Sequence, residues 1–337
     1  MRRAAGKMSF RATAGDVIMA MNRVQFQPGL SLPAFLKQYG TEAACELALL
    51  RARWPNGFVC PRCAATAYSR FQRGGEWLWQ CRTCRHQTSL RSGTLFEHSR
   101  LPLTIWFLAL YVLTHTKTNV SGLELSRHLG VHSRTAWRVK HKVMQAMTMR
   151  ETARHLTGFV QIDDAYLGGE RNGGKAGRGS ENKRPFVIAV ETDVVGLPGC
   201  AVIEPVAGFT KVALTEWAQR RLHPEAEVFS DGLGAFRAVV PLDHAHTVID
   251  AGGGRRATEA EGARWVNIVL SNLKRALDGT YHAFKFFKYA HRYLGEAAWR
   301  FNRRFRLVAL VPRLLVAVAR CPAWSERKLR DVPVFAG

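Results

Sequence analysis

The fold of this chain is decided by the stretch Gly158-Phe-Val-Gln-Ile-Asp-Asp-Ala-Tyr-Leu-Gly-Gly169. Its apolar run is typical of a half-buried strand, which delivers two acids and stops on paired glycines. Because successive side chains of a strand point to opposite faces, Asp163 and Asp164 are predicted not to face one site together. We therefore expect Asp163 to be the chemical residue. The alternative is an acidic turn without chemistry.

Strands and helices alternate after this stretch. Further strands are predicted at residues 185–191, 200–206, 227–230 and 247–250. The first two of these follow the strand at Asp163 with short connections, so the three strands are predicted to form an antiparallel meander. Helices are predicted at residues 211–221 and about 263–277. A meander followed by alternating helices and strands is the order of a ribonuclease H-like (RNase H-like) fold, in which acids lie on the first and fourth strands and on a late helix.

In this chain those three positions are Asp163, Asp231 and Asn267. Lys274 follows Asn267 by seven residues and lies on the same face of the predicted helix. Asn272 is the competing candidate for the third position. Carboxylate and amide oxygens are hard ligands that suit magnesium, so we expect a magnesium or manganese site. His246 is kept out of the catalytic set, since a lone histidine more often packs or forms hydrogen bonds.

The most specific local signal is a pair of Cys-x-x-Cys motifs, Cys60 to Cys63 and Cys81 to Cys84, separated by seventeen residues. Four thiolates at this spacing predict one tetrahedral zinc ion, with two ligands from each motif. Aromatic alternation between the motifs predicts short strands, and hence a zinc ribbon. Four protein sulfurs complete the coordination sphere, so the zinc is expected to be structural.

A helix pair is predicted after the ribbon. Ser121 can cap a helix over residues 122–129 that ends at Gly130, and Ser133 can cap a second helix running to about Met147. This spacing is that of a helix-turn-helix, with the basic second helix as the candidate reader of a DNA groove. Its candidate DNA-binding residues are Arg134, Arg138, His141 and Lys142. A plain helical hairpin is the alternative.

The net charge of +23 over 337 residues indicates a polyanionic partner, with double-stranded DNA ahead of a membrane surface. Residues 101–114 are apolar but too short to span a bilayer, and residues 308–319 are interrupted by Pro312 and Arg313. The N terminus lacks an apolar leader, so we expect a cytoplasmic protein with reduced thiols and no membrane contact.

These signals predict a multidomain chain of mixed α+β and α/β class. The predicted parts are a flexible basic arm at residues 1–30, an N-terminal helix with the zinc ribbon at 31–95, the helix-turn-helix region at 96–152, the RNase H-like catalytic domain at 153–306 and a C-terminal helical tail at 307–337.

From about residue 31 to 306 the sequence resembles the insertion-sequence transposases of the DDE superfamily, in the ISXO-like group with an N-terminal zinc ribbon. The motifs that carry the resemblance are Arg53-Trp-Pro-Asn-Gly-Phe-Val-Cys-Pro-Arg-Cys63, Arg91-Ser-Gly-Thr94, Asp163-Asp-Ala-Tyr-Leu-Gly-Gly169, Ser230-Asp-Gly232, Leu273-Lys-Arg275, Gly279-Thr-Tyr-His282 and Phe301-Asn-Arg-Arg304. The resemblance implies that Asp163 rather than Asp164 is catalytic. It also implies a bacterial, nucleoid-associated protein and an Asp-Asp-Asn variant, in which Asn267 stands where most members carry Glu.

The expected function is therefore a transposase that binds the terminal inverted repeats of an insertion sequence and cleaves and transfers DNA strands with two metal ions. Asp163 is expected to bridge the two ions, Asp231 and Asn267 to hold one each, and Lys274 to contact a phosphate of the DNA end. Synapsis of the two element ends implies a homo-oligomer. Two alternatives remain, a catalytically decayed zinc-ribbon DNA-binding protein and an RNase H-like nuclease acting on RNA hybrids.

Overall fold

The computed structural model describes residues 24–168, 183–249, 262–281 and 286–331, with the side chains of residues 286 and 287 left undescribed. Most of the predicted basic arm, residues 1–23, lies outside these ranges. So do most of the glycine-rich loop predicted after Gly168 and the glycine-basic linker predicted at residues 252–256.

The N-terminal part consists of two capped helices and a small sheet. Helices α1 (Leu32–Tyr39) and α2 (Glu42–Arg53) begin after Ser31 and Thr41, whose hydroxyls accept the N–H groups of Ala34 and Ala44. Strands β1 (Tyr68–Arg73), β2 (Glu76–Cys81) and β3 (Gln87–Ser89) pair antiparallel in that order. The Arg53 guanidinium donates to the carbonyl oxygens of Ser89 and Leu90, which ties α2 to the end of the ribbon.

Three helices follow the ribbon: α3 (Leu103–His115), α4 (Gly122–Leu129) and α5 (Ser133–Glu151). The Ser121 hydroxyl caps α4, and Gly130 ends it in the left-handed conformation at φ +62°, both as predicted. The predicted cap of α5 is wrong: the helix begins at Ser133, and Nδ1 of His132 accepts the N–H of Arg134. The helix also continues one turn beyond Met147.

A mixed five-stranded sheet forms the centre of the remaining described residues. Its strands are β4 (Phe159–Leu167), β5 (Arg184–Thr192), β6 (Pro198–Pro205), β7 (Glu227–Ser230) and β8 (His246–Val248), in the order β6-β5-β4-β7-β8. The first three form the predicted antiparallel meander, and β7 and β8 add in parallel.

Helices cover both faces of this sheet. They are α6 (Lys211–Arg221), α7 (Arg264–Asp278) and α8 (Phe286–Phe301), together with a 3₁₀ helix at Gly234–Leu242. Helices α9 (Leu310–Arg320) and α10 (Glu326–Arg330) follow in the chain and pack on the helical region instead. Ala165 and Leu167 of β4 pack toward α7 and α8, whereas Val160 and Ile162 pack toward α6. This two-layer covering of a 3-2-1-4-5 sheet confirms the predicted RNase H-like fold.

The helical region and the sheet domain are joined by extensive packing. Helix α5 lies against α8, and α9 returns to pack on α2, α3 and α5. Trp299 of α8 and Leu314 of α9 lie in the same core cluster as residues of the ribbon and of α3. The predicted C-terminal tail thus includes a helix that contributes to the N-terminal core. Among the helices of the described residues, none is long and apolar enough to cross a membrane.

Candidate functional site

Two acids in the middle of β4 and one directly after β7 converge, so β4 continues past the acids at which the sequence predicted its end. One carboxylate oxygen from each of Asp163, Asp164 and Asp231 lies within 4.8 Å of the others. Asp163 and Asp164 are half-buried, whereas Asp231 is exposed. The prediction that Asp163 and Asp164 cannot face one site is therefore wrong.

The edge of β4 explains why the alternation rule fails here. Pairing between β4 and β7 ends at Ile162 and Ser230, one residue before Asp163. Beyond that point β4 pairs with β5 but no longer with β7, so β7 does not separate the side chains of Asp163 and Asp164. The backbone N–H of Asp164 also donates to Oδ1 of Asp163 at 2.8 Å, which fixes that carboxylate.

Asp163 is a partly buried acid whose pKa is raised. Burial raises the pKa of its carboxyl to about 6, and the negative charges of Asp231 and Asp164 act in the same direction. The hydrogen bond from Asp164 and the positive charge of Lys274 partly offset this rise in pKa. A cation would relieve the repulsion between these partly buried carboxylates, and carboxylate oxygens are hard ligands, so the donor set fits a divalent metal ion.

Asp231 is held by the turn that follows β7. Its Oδ1 accepts the N–H of Leu233 at 3.1 Å, which orients the carboxylate at the end of the strand. The preceding residue, Ser230, is buried and its hydroxyl lies 2.9 Å from Nε2 of His246 on β8. His246 is thus next to the site through Ser230 and belongs outside the acid cluster.

Helix α7 carries the remaining predicted residues. Asn267 is half-buried, and its Nδ2 donates to the Ala263 carbonyl at 2.9 Å, so Oδ1 is the end of the amide that can serve a metal ion. Asn272 and Lys274 are exposed, and all three line one open pocket on α7. The positive charge of Lys274 lowers the pKa of Asp163, so Lys274 is within electrostatic reach of the acid cluster.

The four predicted zinc ligands meet at one point. The Sγ atoms of Cys60 and Cys84 are 3.6 Å apart, as are those of Cys63 and Cys81, and all four lie within 4.8 Å of one another. A tetrahedral zinc ion with Zn–S bonds of about 2.3 Å separates its sulfurs by about 3.8 Å. The four thiols therefore fit a structural zinc ion.

The two cysteine motifs have the same backbone. In each, the residue after the second cysteine, Ala64 or Arg85, takes the left-handed conformation near φ +60° and donates its N–H to the carbonyl of the first cysteine. Backbone N–H groups of Cys84 and Thr83 lower the pKa of Cys81 to about 6. Donors aimed at the sulfurs stabilise thiolates, which are the form that binds zinc.

The predicted DNA-binding residues divide between the two halves of α5. Arg134 and Arg138 are exposed on its first two turns. Both lie against Glu326 of α10, at 3.0 Å and 3.8 Å between nitrogen and oxygen. Glu326 also binds Arg330, so three guanidinium groups converge on one carboxylate and the patch keeps a positive charge.

His141 does not lie on this surface, whereas Lys142 lines the same cavity as Arg138 and Glu326. His141 is 1% exposed, stacks on Trp137, and its Nδ1 lies 3.2 Å from Nη1 of Arg292 on α8. Burial lowers the pKa of His141 to about 2, so its ring is neutral and accepts from Arg292. Lys142 is half-buried and donates to the Leu95 carbonyl at 3.2 Å. His141 is therefore an interior packing residue rather than a DNA contact.

Two features of these sites escape the sequence pattern. Asp164 joins the acid cluster, and its signal, a second acid beside the first, was present but was excluded by strand alternation. Glu326 neutralises part of the basic patch from a residue far along the chain, for which no local pattern gives a signal.

Two segments of the chain match models of known protein families. The model of the ISXO2-like transposase domain family matches residues 155–302, and that of the transposase zinc-ribbon domain matches residues 40–87. Together the two matches cover more than half of the chain. The chain is also 28% identical over 225 residues to an uncharacterized protein in transposable element ISH50 of Halobacterium salinarum, an alignment that spans 62% of this chain and 72% of the relative.

Proposed function

We propose that this chain, which belongs to the ISXO2-like transposases, binds the terminal inverted repeats of an insertion sequence and catalyses metal-dependent cleavage and transfer of DNA strands. The observation that carries the proposal is that three carboxylates meet within 4.8 Å where the pairing of β4 with β7 ends, inside the matched transposase domain. A homo-oligomer is proposed for the complex that joins the two element ends.

Each residue of the site has a proposed role. Asp163 and Asp231 hold divalent metal ions through their carboxylates, Asn267 contributes its amide oxygen, and Asp164 is a further carboxylate within reach. Lys274 contacts a phosphate of the DNA end. Magnesium or manganese ions bound by this set would activate the attacking oxygen and stabilise the leaving oxygen of an in-line displacement. The protein holds the DNA end at a fixed position relative to the metal ligands.

DNA binding is proposed to use two basic surfaces. Arg134 and Arg138 present the first turns of α5 to the duplex, as in a helix-turn-helix. The ribbon adds five exposed arginines, Arg62, Arg70, Arg73, Arg82 and Arg85. Among the exposed residues of the ribbon strands only Glu76 opposes this charge, so the surface suits the phosphate backbone.

The decisive experiment is cleavage of duplex oligonucleotides that carry candidate element ends, by the zinc-loaded full chain in magnesium. Nicking at the end of the element, and its absence on a scrambled duplex, would support the transposase activity. Binding of the ends without metal-dependent cleavage would favour the decayed DNA-binding protein. Cleavage of RNA–DNA hybrids in preference to element ends would favour the nuclease.

DNA affinity is expected to fall steeply with salt. A protein that contacts 6–10 phosphates loses about 10³–10⁵-fold in affinity between 50 and 200 mM salt, because condensed counterions are released on binding. Fluorescence anisotropy with a labelled duplex gives this slope. Arg134→Gln should lower the slope by about one ion, whereas Arg220→Gln on α6 is the matched control and should leave it unchanged. A salt-independent affinity would contradict the DNA-binding proposal.

The requirement for metal is expected to depend on pH. Since the pKa of Asp163 is about 6, its carboxylate is largely protonated below pH 6 and must lose that proton to bind a cation. The magnesium concentration for half-maximal cleavage should rise about tenfold per pH unit below pH 6 and level off above pH 7. Magnesium titrations of cleavage between pH 5 and 8 measure this. A constant requirement across that range would count against Asp163 as a ligand.

A further inference from the structure

Trp265, in the first turn of α7, makes two hydrogen bonds to the sheet and to the turn between two of its strands. The backbone N–H of Trp265 donates to Oε1 of Gln161 on β4 at 2.8 Å. Its indole N–H donates to the carbonyl of Gly196, in the turn between β5 and β6, at 2.7 Å. Trp265 precedes Asn267 by two residues, so these bonds act on the part of the helix that carries the proposed ligand.

Helix α7 has no cap of its own. Ala263 stands at the cap position and offers no side-chain hydrogen bond. The first N–H groups of a helix lack intrahelical partners, and an unpaired one that is removed from water is costly. Gln161, which is 4% exposed, provides the acceptor from the neighbouring strand and so replaces a cap.

Gln161 and Asp163 share one face of β4, because they are two residues apart on a strand. The next residues on that face, Ala165 and Leu167, pack in the same cluster as the apolar side of α7. Strand β4 therefore bears the proposed metal ligand Asp163 and, two residues earlier, Gln161, which binds the helix that carries Asn267.

We propose that Gln161 is a positioning residue which, through the Trp265 N–H, fixes the placement of α7 and with it the separation of Asn267 from Asp163. This inference rests on the proposed function. Apolar packing of Val266, Leu270 and Leu273 holds α7 to the sheet, but such packing is not directional. A hydrogen bond of defined length and angle restrains sliding and rotation, and metal ligands tolerate errors of only about 0.5 Å.

The test replaces Gln161 by methionine, which keeps a similar length and volume but lacks a strong acceptor. In the zinc-loaded full chain, Gln161→Met should speed amide hydrogen exchange at Trp265 and weaken manganese binding at the acid cluster by about 10–100-fold, the range found when groups that orient metal ligands are removed. Cleavage in magnesium should fall in parallel, while affinity for element ends stays unchanged. Calorimetry with manganese, referenced to Asp163→Asn, isolates binding at this site.

Two further variants make the result specific. Gln161→Glu keeps an Oε acceptor and should retain the hydrogen-exchange protection of Trp265 even if the methionine variant folds poorly. Gln219→Met, on the exposed face of α6, is the matched control and should behave as the parent. Unchanged manganese affinity in Gln161→Met, or rapid amide exchange of Trp265 in Gln161→Glu, would overturn this inference and leave the proposed function standing. A parent protein whose manganese binding equals that of Asp163→Asn would overturn the proposed function and this inference with it.

Discussion

Asp163→Asn or Asp231→Asn is expected to abolish strand cleavage and transfer while leaving DNA-end binding intact. Each change removes a negative charge from the proposed metal site, and loss of one group that stabilises transition-state charge costs about 10²–10³-fold in rate. The larger loss is expected at Asp163, whose carboxylate is half-buried, and the smaller at Asp231, which is exposed. Because a carboxylate repels DNA, affinity for element ends should stay the same or rise slightly. Single-turnover cleavage and anisotropy on the same duplex measure both quantities.

These variants isolate charge from structure. Asparagine keeps an Oδ1, so it can still accept the N–H of Asp164 at position 163 and the N–H of Leu233 at position 231. The matched control is Asp193→Asn, in the β5–β6 turn, where Oδ1 accepts the N–H groups of Val195 and Leu197. Full activity is expected there. If Asp163→Asn cleaves like the parent, the catalytic proposal fails.

The third ligand is decided by a companion set of variants. Asn267→Ala should reduce cleavage severely, and Asn267→Asp, which adds a charge, should retain part of it. Asn272→Ala should be close to the parent, since Asn272 is exposed. Asp164→Asn tests whether the acid beside Asp163 supplies the charge that Asn267 lacks. Inactive Asn272→Ala beside active Asn267→Ala would reassign the ligand to Asn272.

Cys60→Ser or Cys81→Ser is expected to lose the zinc ion and to unfold residues from about 56 to 90. Structural zinc contributes on the order of 10–16 kcal/mol to the folding of small zinc modules. The strands of the ribbon are short and largely exposed, so they bury too little apolar surface to fold without the ion. Zinc content by emission spectrometry and limited proteolysis within residues 56–90 report the two losses.

Cys45→Ser provides the matched control for the ribbon. Cys45 is buried in α2 outside the zinc site, and its Sγ contacts the carbonyl of Tyr39, a bond that a serine hydroxyl can make. One zinc ion per chain is expected in this variant. Full zinc content in Cys60→Ser would show that the four sulfurs do not form the site.

Local signals were sufficient for much of the fold and of the zinc site. Ser121 and Gly130 set the ends of α4 through a hydroxyl cap and a left-handed glycine, which depend only on neighbouring residues. The cysteine spacing likewise determines two identical turns whose sulfurs meet. The order of strands and helices then determined the sheet, because a meander has few ways to continue.

The errors arose where tertiary structure overrides a local pattern. Asp164 joins the cluster because β7 ends beside it, which is a property of pairing between distant segments. His141 is on the basic side of α5 in the sequence pattern but is covered by α8, whose Arg292 binds it. No periodicity within α5 reports which helix returns to pack on it.

Helix α5 connects the helical region with the sheet domain, and this has a further consequence. Its first turns present Arg134 and Arg138, while Gln145, two turns beyond Arg138, binds Arg292 of the sheet domain at 2.9 Å. The helix is continuous over 19 residues, a length of about 28 Å. Under the proposed function this helix fixes the distance between the DNA-binding arginines and the acid cluster. The protein therefore sets the number of base pairs between the DNA sequence that it contacts and the bond that it cuts. The bases at the cut itself are then free to vary.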